Sequence, residues 1–160
     1  MTTGPVEKGS KLPAFKLPTD DGGAVGDADL AGRPAVIYFY PKDDTPGCTA
    51  EAKDFTRLAP DFRAAGVAVI GISPDGVKKH QKFREKYELD LRLAADEDHA
   101  VAEKFGVWVE KSLYGRKYMG VDRATFLIDA KGRVGEAWRK VKVPQHAEEV
   151  LAAARKLSKG

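Results

Sequence analysis

The only cysteine of the chain, Cys48, follows a charged loop that contains two prolines and a glycine (PKDDTPG, residues 41–47). Proline fixes its own backbone angle φ, so the loop is restricted and predicts a rigid approach to Cys48. A helix is expected directly after the loop, with Cys48 in its first turn. The N–H groups there have no helical partners and the helix dipole is positive, so an anionic sulfur is stabilised. This setting predicts a reactive thiolate.

A hydroxyl lies three residues before this cysteine, at Thr45, where it can reach the sulfur or an oxygen bound beside it. The alternative for a lone cysteine is a small buried hydrophobic side chain, which is the usual fate of a free thiol. The position of Cys48 between a predicted strand and a predicted helix favours chemistry over simple packing.

Four segments have the composition of β-strands. Three are short apolar runs, rich in β-branched and aromatic residues with little alternation, which is typical of strands buried on both faces. They are Ala35–Tyr40, Val67–Ile72 and Ala124–Ile128. A weaker fourth segment, Val134–Trp138, follows a turn and is predicted to pair antiparallel with the third.

Three segments place apolar residues at three- and four-residue steps and are predicted to be amphipathic helices. They are Thr49–Ala64, Gly76–Tyr87 and Gln145–Leu157. A shorter helix is expected within Ala94–Phe105, and Gly106–Met119 is interpreted as mostly loop. The N-terminal arm, with its prolines and the turn residues DDGG, is expected to form a small hairpin or an extended segment.

The order of these elements predicts one α/β domain over residues 1–160, with a mixed central β-sheet and helices on both faces. A helix that connects the first two strands makes them parallel through a right-handed crossover. The thioredoxin-like fold satisfies this order in a compact form. Because the active sites of such sheets lie beyond the carboxyl ends of the parallel strands, the segment after Tyr40 is the expected site.

The composition argues against several classes of function. The net charge is +3, with 27 basic and 24 acidic residues interspersed, whereas a nucleic-acid-binding protein gathers its basic residues into a patch. No segment has the length and hydropathy of a membrane span, and the first ten residues lack a signal-peptide core. One cysteine forms no internal disulfide, which favours a reducing compartment and predicts a cytoplasmic protein.

Neither a metal ion nor another cofactor is expected. Structural and catalytic zinc sites need several closely spaced cysteine or histidine ligands. The three histidines, His80, His99 and His146, are scattered through different segments and are interpreted as surface or helix histidines.

The segment FYPKDDTPGCTAEA resembles the active-site loop of the peroxiredoxins, in particular that of the bacterioferritin comigratory protein or peroxiredoxin Q subfamily. The family spacing Pro-x-x-x-Thr-x-x-Cys falls on Pro41, Thr45 and Cys48. The similarity continues in GSKLPAFKLP, GISPD, FGVWVE and GVDRATFLID, so it covers nearly the whole chain. The resemblance implies a thioredoxin-like peroxidase that reduces hydrogen peroxide and organic hydroperoxides in antioxidant defence.

The resemblance also implies a role for each matching residue. Cys48 would be the nucleophile that becomes a sulfenic acid, Thr45 the hydroxyl that orients the peroxide, and Pro41 a shield against water. Arg123 would stabilise the thiolate and the departing oxygen, together with the backbone N–H groups of Gly47 and Cys48. The predicted topology agrees, because a third strand antiparallel to the first brings Arg123 to the sheet end where Cys48 lies.

Two further residues match less decisively. Glu51, one turn into the helix, fits the family pattern and is assigned an accessory structural role. Trp108 either lines the pocket or belongs to the core. For Arg123 the alternative to a role at the sulfur is a surface salt bridge with Asp122 or Asp129.

No resolving cysteine is present. Many members of the subfamily carry one five residues after the nucleophile, where this chain has Lys53, and others carry one at the position of Arg84. The resemblance therefore implies a one-cysteine peroxidase, whether the second cysteine is naturally absent or was removed by engineering. Its sulfenic acid would be reduced by thioredoxin, glutaredoxin, a small thiol or Cys48 of a second subunit, and the chain would be a monomer or weak dimer.

Two other functions fit these residues less well. A thioredoxin-type disulfide reductase needs a second nearby thiol, and Cys-x-x-Cys is absent. A redox-sensing or chaperone-like binding protein would use Cys48 as a switch, although a simple sensor has no need of Thr45 and Arg123. The preferred peroxide, the physiological reductant and the oligomeric state leave no signal in the sequence.

Overall fold

The computed structural model describes residues 6–159, which form nine β-strands and six α-helices. Their order along the chain is β1 (Lys16–Pro18), β2 (Ala24–Gly26), α1 (Asp27–Leu30), β3 (Ala35–Phe39), α2 (Pro46–Arg57), α3 (Ala59–Ala64), β4 (Ala68–Ser73), α4 (Val77–Tyr87), β5 (Arg92–Ala95), α5 (Ala100–Lys104), β6 (Trp108–Leu113), β7 (Arg116–Val121), β8 (Ala124–Ile128), β9 (Val134–Trp138) and α6 (His146–Lys159). No helix in this part of the chain is long and apolar enough to cross a lipid bilayer.

The central sheet has five strands in the order β5-β4-β3-β8-β9. β3, β4 and β5 are mutually parallel, whereas β8 and β9 join antiparallel, so the predicted mixed sheet is confirmed. The predicted strands agree with β3, β4, β8 and β9 to within one residue. Phe39 at the end of β3 lies opposite Ala124 at the start of β8, and this register positions the functional site.

Two apolar cores fill the two faces of the sheet. Val36 and Tyr38 of β3 point into one core, and Ile37 and Phe39 point into the other, because successive side chains of a strand alternate between faces. Helices α2, α3, α4 and α6 cover the first face, whereas α1, α5 and the β1–β2 hairpin cover the second. All five residues of β3 are buried, as its uninterrupted apolar sequence predicts.

The long helix predicted after the loop is wrong in its start and in its continuity. It begins at Pro46, and it breaks at Leu58 into α2 and α3. Leu58 has φ −93° and ψ 1°, outside the helical region. The break has a local cause in Pro60, which has no N–H to donate and whose ring would clash with the carbonyl of residue 56 in a continuous helix.

The segment interpreted as mostly loop, Gly106–Met119, is instead largely the antiparallel hairpin of β6 and β7. Tyr114 and Gly115 both have positive φ (52° and 79°), the combination that a two-residue type I′ turn requires. The hairpin carries Leu113, Tyr114, Tyr118 and Met119 as exposed large hydrophobic side chains. Charged residues between these side chains interrupt the apolar pattern by which a strand is recognised in the sequence.

Two short elements had no counterpart in the sequence analysis, α1 and the edge strand β5. β5 (RLAA) is only four residues long and follows a charged segment, so its apolar pattern is too short to identify. The N-terminal hairpin is confirmed as β1 and β2, which pair antiparallel. The short helix expected within Ala94–Phe105 is α5.

Candidate active site

Cys48 lies in the first turn of α2, directly beyond the carboxyl end of β3. Pro46 is the first helical residue, and the first helical backbone bond runs from the Thr49 N–H to the Thr45 carbonyl at 2.8 Å. The N–H groups of Gly47 and Cys48 therefore precede the helical ladder and are free to polarise an anion. The side chain is only 2% exposed, but it borders charged groups on one side.

Arg123 reaches this sulfur from a distant part of the sequence. It precedes β8, whose register with β3 brings it beside the loop after Tyr40. Its Nη2 donates to Cys48 Sγ at 3.3 Å, and its Nη1 donates to Glu51 Oε1 at 2.6 Å. A Cβ on Gly47 would lie 3.2 Å from the same Nη2, so glycine lets the guanidinium approach the helix end.

Glu51 is a buried carboxyl held by one partner. Its side chain is 1% exposed, Oε1 accepts from Arg123, and Oε2 has no hydrogen-bond partner among the described residues. Burial raises the pKa of Glu51 to about 7, although the charge and hydrogen bond of Arg123 work to lower it. Burial acts to lower the pKa of Arg123, but the charges of Glu51 and Cys48 outweigh it and raise that pKa, so the guanidinium stays charged.

Thr45 immediately precedes α2, but its hydroxyl hydrogen bonds a backbone carbonyl rather than the sulfur. Its Oγ1 donates to the Lys42 carbonyl at 2.8 Å, so in this arrangement it donates neither to Cys48 nor to a bound oxygen. Its oxygen lone pairs are left to accept a hydrogen bond. Pro41 is half-buried at the start of the loop, and Trp108 is half-buried and stacks on His99 with ring centroids 3.9 Å apart.

His80 and His146 lie on helices, in agreement with the interpretation as surface or helix histidines, but both side chains are buried. His80 lies on α4 but is completely buried, with Nδ1 2.6 Å from Asp43 Oδ2. His146 begins α6, is 5% exposed and shares a 2.8 Å hydrogen bond with Thr125 Oγ1. Burial, helped by the charge of Arg123, lowers the pKa of His146 to about 4. Contacts with distant segments bury these two rings, and the local sequence around each histidine does not predict its burial.

Glu51→Gln is expected to change the pH dependence of stability. Between about pH 4.5 and 7 the native Glu51 holds a proton that the unfolded chain releases, so this group's contribution to stability falls as pH rises. His146 acts oppositely between about pH 4 and 6.5, because the unfolded chain binds the proton there. Each effect reaches about 3 kcal/mol, so they largely cancel in the wild type.

Removing the Glu51 charge leaves the His146 effect uncompensated. His146 is present in both proteins, so the difference between them reports the lost Glu51 effect: the free energy of unfolding of Glu51→Gln minus that of wild type, measured by urea denaturation, should rise by up to about 3 kcal/mol between about pH 5 and about pH 8. Glu149→Gln, an exposed change on α6, serves as the control. A difference in unfolding free energy between Glu51→Gln and wild type that is the same at both pH values would contradict the raised pKa of Glu51.

The two positions at which the subfamily resemblance implies a resolving cysteine hold charged side chains with other surroundings. Lys53 is exposed on α2. Arg84 on α4 forms an ion pair with the buried carboxylate of Asp20 and donates to the carbonyls of Leu89 and Leu91. Arg84 therefore ties the end of α4 to the segment before β5 and to the segment after β1.

Three comparisons bear on this arrangement. Residues 8–137 match the model of the AhpC/TSA family. The chain is 49% identical to a putative peroxiredoxin bcp of Coxiella burnetii over 91% of this chain and 97% of that protein. The chain is a peroxiredoxin of the AhpC/TSA family. It is also 46% identical to peroxiredoxin Bcp of Bacillus subtilis, over 96% and 98% of the two chains.

Solved peroxiredoxin structures agree with this assignment. A cysteine-to-serine mutant of Xylella fastidiosa PrxQ matches with a TM-score of 0.90 at 36% identity, over 96% of this chain and 98% of that one. The Xanthomonas campestris bacterioferritin comigratory protein matches with a TM-score of 0.86 at 41% identity, over 92% and 98%. The thioredoxin-like fold and the subfamily that the loop motif predicts are thus confirmed. Two different cysteines of Xanthomonas campestris peroxiredoxin Q were replaced by serine in separate mutants, whereas this peroxiredoxin has one cysteine in all.

Proposed function

We propose that this peroxiredoxin reduces hydrogen peroxide and organic hydroperoxides by a one-cysteine mechanism in which Cys48 is the nucleophile. The observation that carries the proposal is the 3.3 Å hydrogen bond from Arg123 to Cys48 Sγ at a helix N-terminus. A guanidinium in this place stabilises the thiolate before the reaction and the developing oxyanion during it. The Xanthomonas campestris relative is described as having alkyl peroxide reduction activity, which supports organic hydroperoxides as substrates.

The chemical step needs one bond to form and one to break. The Cys48 thiolate attacks the terminal oxygen of the hydroperoxide, an S–O bond forms, and the O–O bond breaks. The leaving oxygen takes a proton and departs as water or an alcohol, and Cys48 becomes a sulfenic acid. Arg123 and the N–H groups of Gly47 and Cys48 are the donors available to the leaving oxygen. Thr45 Oγ1 can accept the hydroperoxide O–H, and Pro41 shields the sulfur from water.

The second half of the cycle requires thiols from outside the chain. A first thiol attacks the sulfenic acid, releases water and forms a mixed disulfide, and a second thiol restores Cys48. We assign these steps to thioredoxin, glutaredoxin or a small thiol rather than to Cys48 of a second copy, because two recessed and identical sites would have to meet. The proposal includes a single domain, a monomer or weak dimer, and a cytoplasmic location.

Peroxide consumption per chain tests the proposal. Wild type and Cys48→Ser are compared with thioredoxin and its reductase, with a glutaredoxin system, with dithiothreitol and with no thiol. Wild type should consume many equivalents of peroxide with at least one thiol source, and Cys48→Ser none above the background. Consumption that stops at about one equivalent with every thiol source would instead favour a redox sensor.

A further inference from the structure

A buried polar cluster holds the start of the loop that leads to Cys48. The Tyr40 hydroxyl donates to Asp43 Oδ1 at 2.6 Å, and Asp43 Oδ2 lies 2.6 Å from His80 Nδ1. His80 Nε2 donates to the Ala94 carbonyl at 3.0 Å. The side chains of His80 and Asp43 are 0% and 1% exposed, so no solvent competes for these bonds.

The hydrogen bonds of this cluster fix the orientation of the His80 ring. The Ala94 carbonyl can only accept, so Nε2 must carry a hydrogen. One proton must also lie between Nδ1 and Asp43, on either atom, because their 2.6 Å separation requires a hydrogen bond. Asp43 is therefore fixed between the sheet, through Tyr40, and helix α4, through His80.

The rest of the loop's first half is tied to the same helix. The Asp43 N–H donates to Asp75 Oδ2 at 2.7 Å, in the turn that precedes α4. Asp44 has φ 60°, a left-handed conformation that residues other than glycine rarely adopt, so the loop needs external support there. Its carboxylate accepts from Lys86 Nζ at 2.8 Å and from the Tyr87 hydroxyl.

We propose that the Asp43–His80 pair positions the loop carrying Thr45, Gly47 and Cys48 for alignment with the hydroperoxide O–O bond. This inference rests on the proposed peroxidase function. Arg123 approaches the site from the opposite side, on the β8 side of β3. The distance between its guanidinium and the loop that carries Cys48 therefore depends on how α4 holds the loop. Asp43 and His80 bond neither the sulfur nor Arg123, so they act as positioning residues.

This role predicts that two reactions of Cys48 respond differently to loss of the pair. Alkylation by iodoacetamide needs an accessible thiolate but no aligned O–O bond. Reduction of a hydroperoxide needs the sulfur, the N–H groups and Arg123 in one geometry, and misplacement by about 1 Å can cost a factor of about a hundred. Positioning therefore affects the peroxide reaction far more than the alkylation.

Two substitutions of His80 separate the contacts. In His80→Gln the amide nitrogen can replace Nε2 and keep the bond to Ala94, but the bond to Asp43 is lost. In His80→Asn the amide nitrogen can replace Nδ1 and keep the bond to Asp43. We expect His80→Gln to lower the rate constant for oxidation by hydrogen peroxide by about tenfold to a hundredfold. His80→Asn should retain most of that rate, and both should alkylate at near the wild-type rate.

Asp43→Ala breaks the same link from the loop side and should reproduce the loss seen in His80→Gln. In Asp43→Ala the Tyr40 hydroxyl is free to donate to His80 Nδ1, which lies 3.5 Å away, so the buried ring keeps a hydrogen-bond partner. This variant therefore provides a second test if His80→Gln fails to fold. Gln81→Ala is the matched control, because it removes a bond from α4 to the Asp20 carbonyl and leaves the loop untouched. Circular dichroism verifies the fold of each variant.

Three results would overturn the positioning role while wild type still reduces peroxide. They are an unchanged peroxide rate in folded Asp43→Ala, a parallel fall of peroxide and iodoacetamide rates, and a loss in His80→Asn as large as in His80→Gln. If wild type consumes no peroxide with any thiol, the proposed function itself fails, and the two failures are thus distinguishable.

Discussion

Arg123→Ala is expected to lower kcat/KM for hydroperoxide by about 10²–10³-fold, the effect of removing one oriented donor to a developing oxyanion. The alkylation rate with iodoacetamide should fall much less, since the Gly47 and Cys48 N–H groups still favour the thiolate. A stopped-flow measurement of peroxide oxidation beside an alkylation time course gives both numbers. The structural reason is that Nη2 bonds Sγ directly and can follow the charge to the leaving oxygen.

Arg123→Lys provides the matched control for charge. Lysine keeps the positive charge but lacks the planar fork that bonds Cys48 and Glu51 together. We expect Arg123→Lys to recover only part of the peroxide rate, because one ammonium cannot hold both partners in the same geometry. Equal losses of peroxide and alkylation rates in Arg123→Ala would mean that Arg123 acts only through ionisation of the sulfur.

The sequence predicts the part of the site that one segment contains, together with one long-range contact. The loop motif and the strand before it place Cys48 at a helix start, and the antiparallel third strand brings Arg123 to it. This succeeds because the buried strands have uninterrupted apolar sequences whose order leaves few topologies. The long separation between Cys48 and Arg123 is therefore no obstacle.

The residues that sequence reasoning missed depend on contacts that no local pattern encodes. His80 lies on a strongly charged helix, and contacts with Asp43 in the loop and with Ala94 of β5 bury it. Thr45 was expected to donate to sulfur or a bound oxygen, but the Lys42 carbonyl, only three residues away, takes its hydrogen. Side-chain hydrogen bonds of this kind are decided by distances of a few tenths of an ångström, which spacing along a chain does not determine.

Excess hydrogen peroxide without a thiol is expected to convert Cys48 in nearly all chains to the sulfinic or sulfonic acid. No second thiol exists in the chain to trap the sulfenic acid as an internal disulfide. The donors that bind the first peroxide remain in place to bind a second. Intact-mass spectrometry should show two or three added oxygens, and a thiol reductant supplied together with the peroxide should suppress them. Cys48 that stays unmodified would contradict both the reactivity and the one-cysteine cycle.

Lys53→Cys tests the same point by introducing a thiol at a position where the subfamily resemblance implies a resolving cysteine. In a regular helix the Cα atoms of residues 48 and 53 are about 8–9 Å apart, beyond the roughly 7 Å that a disulfide spans. The bond can form only if the first turns of α2 unwind, so protection from over-oxidation should accompany a loss of helical circular dichroism. Lys131→Cys lies in the turn between β8 and β9, at the end of the sheet opposite to Cys48, and should give no protection. Protection by both variants would mean that disulfides between chains, rather than local unwinding of α2, capture the sulfenic acid.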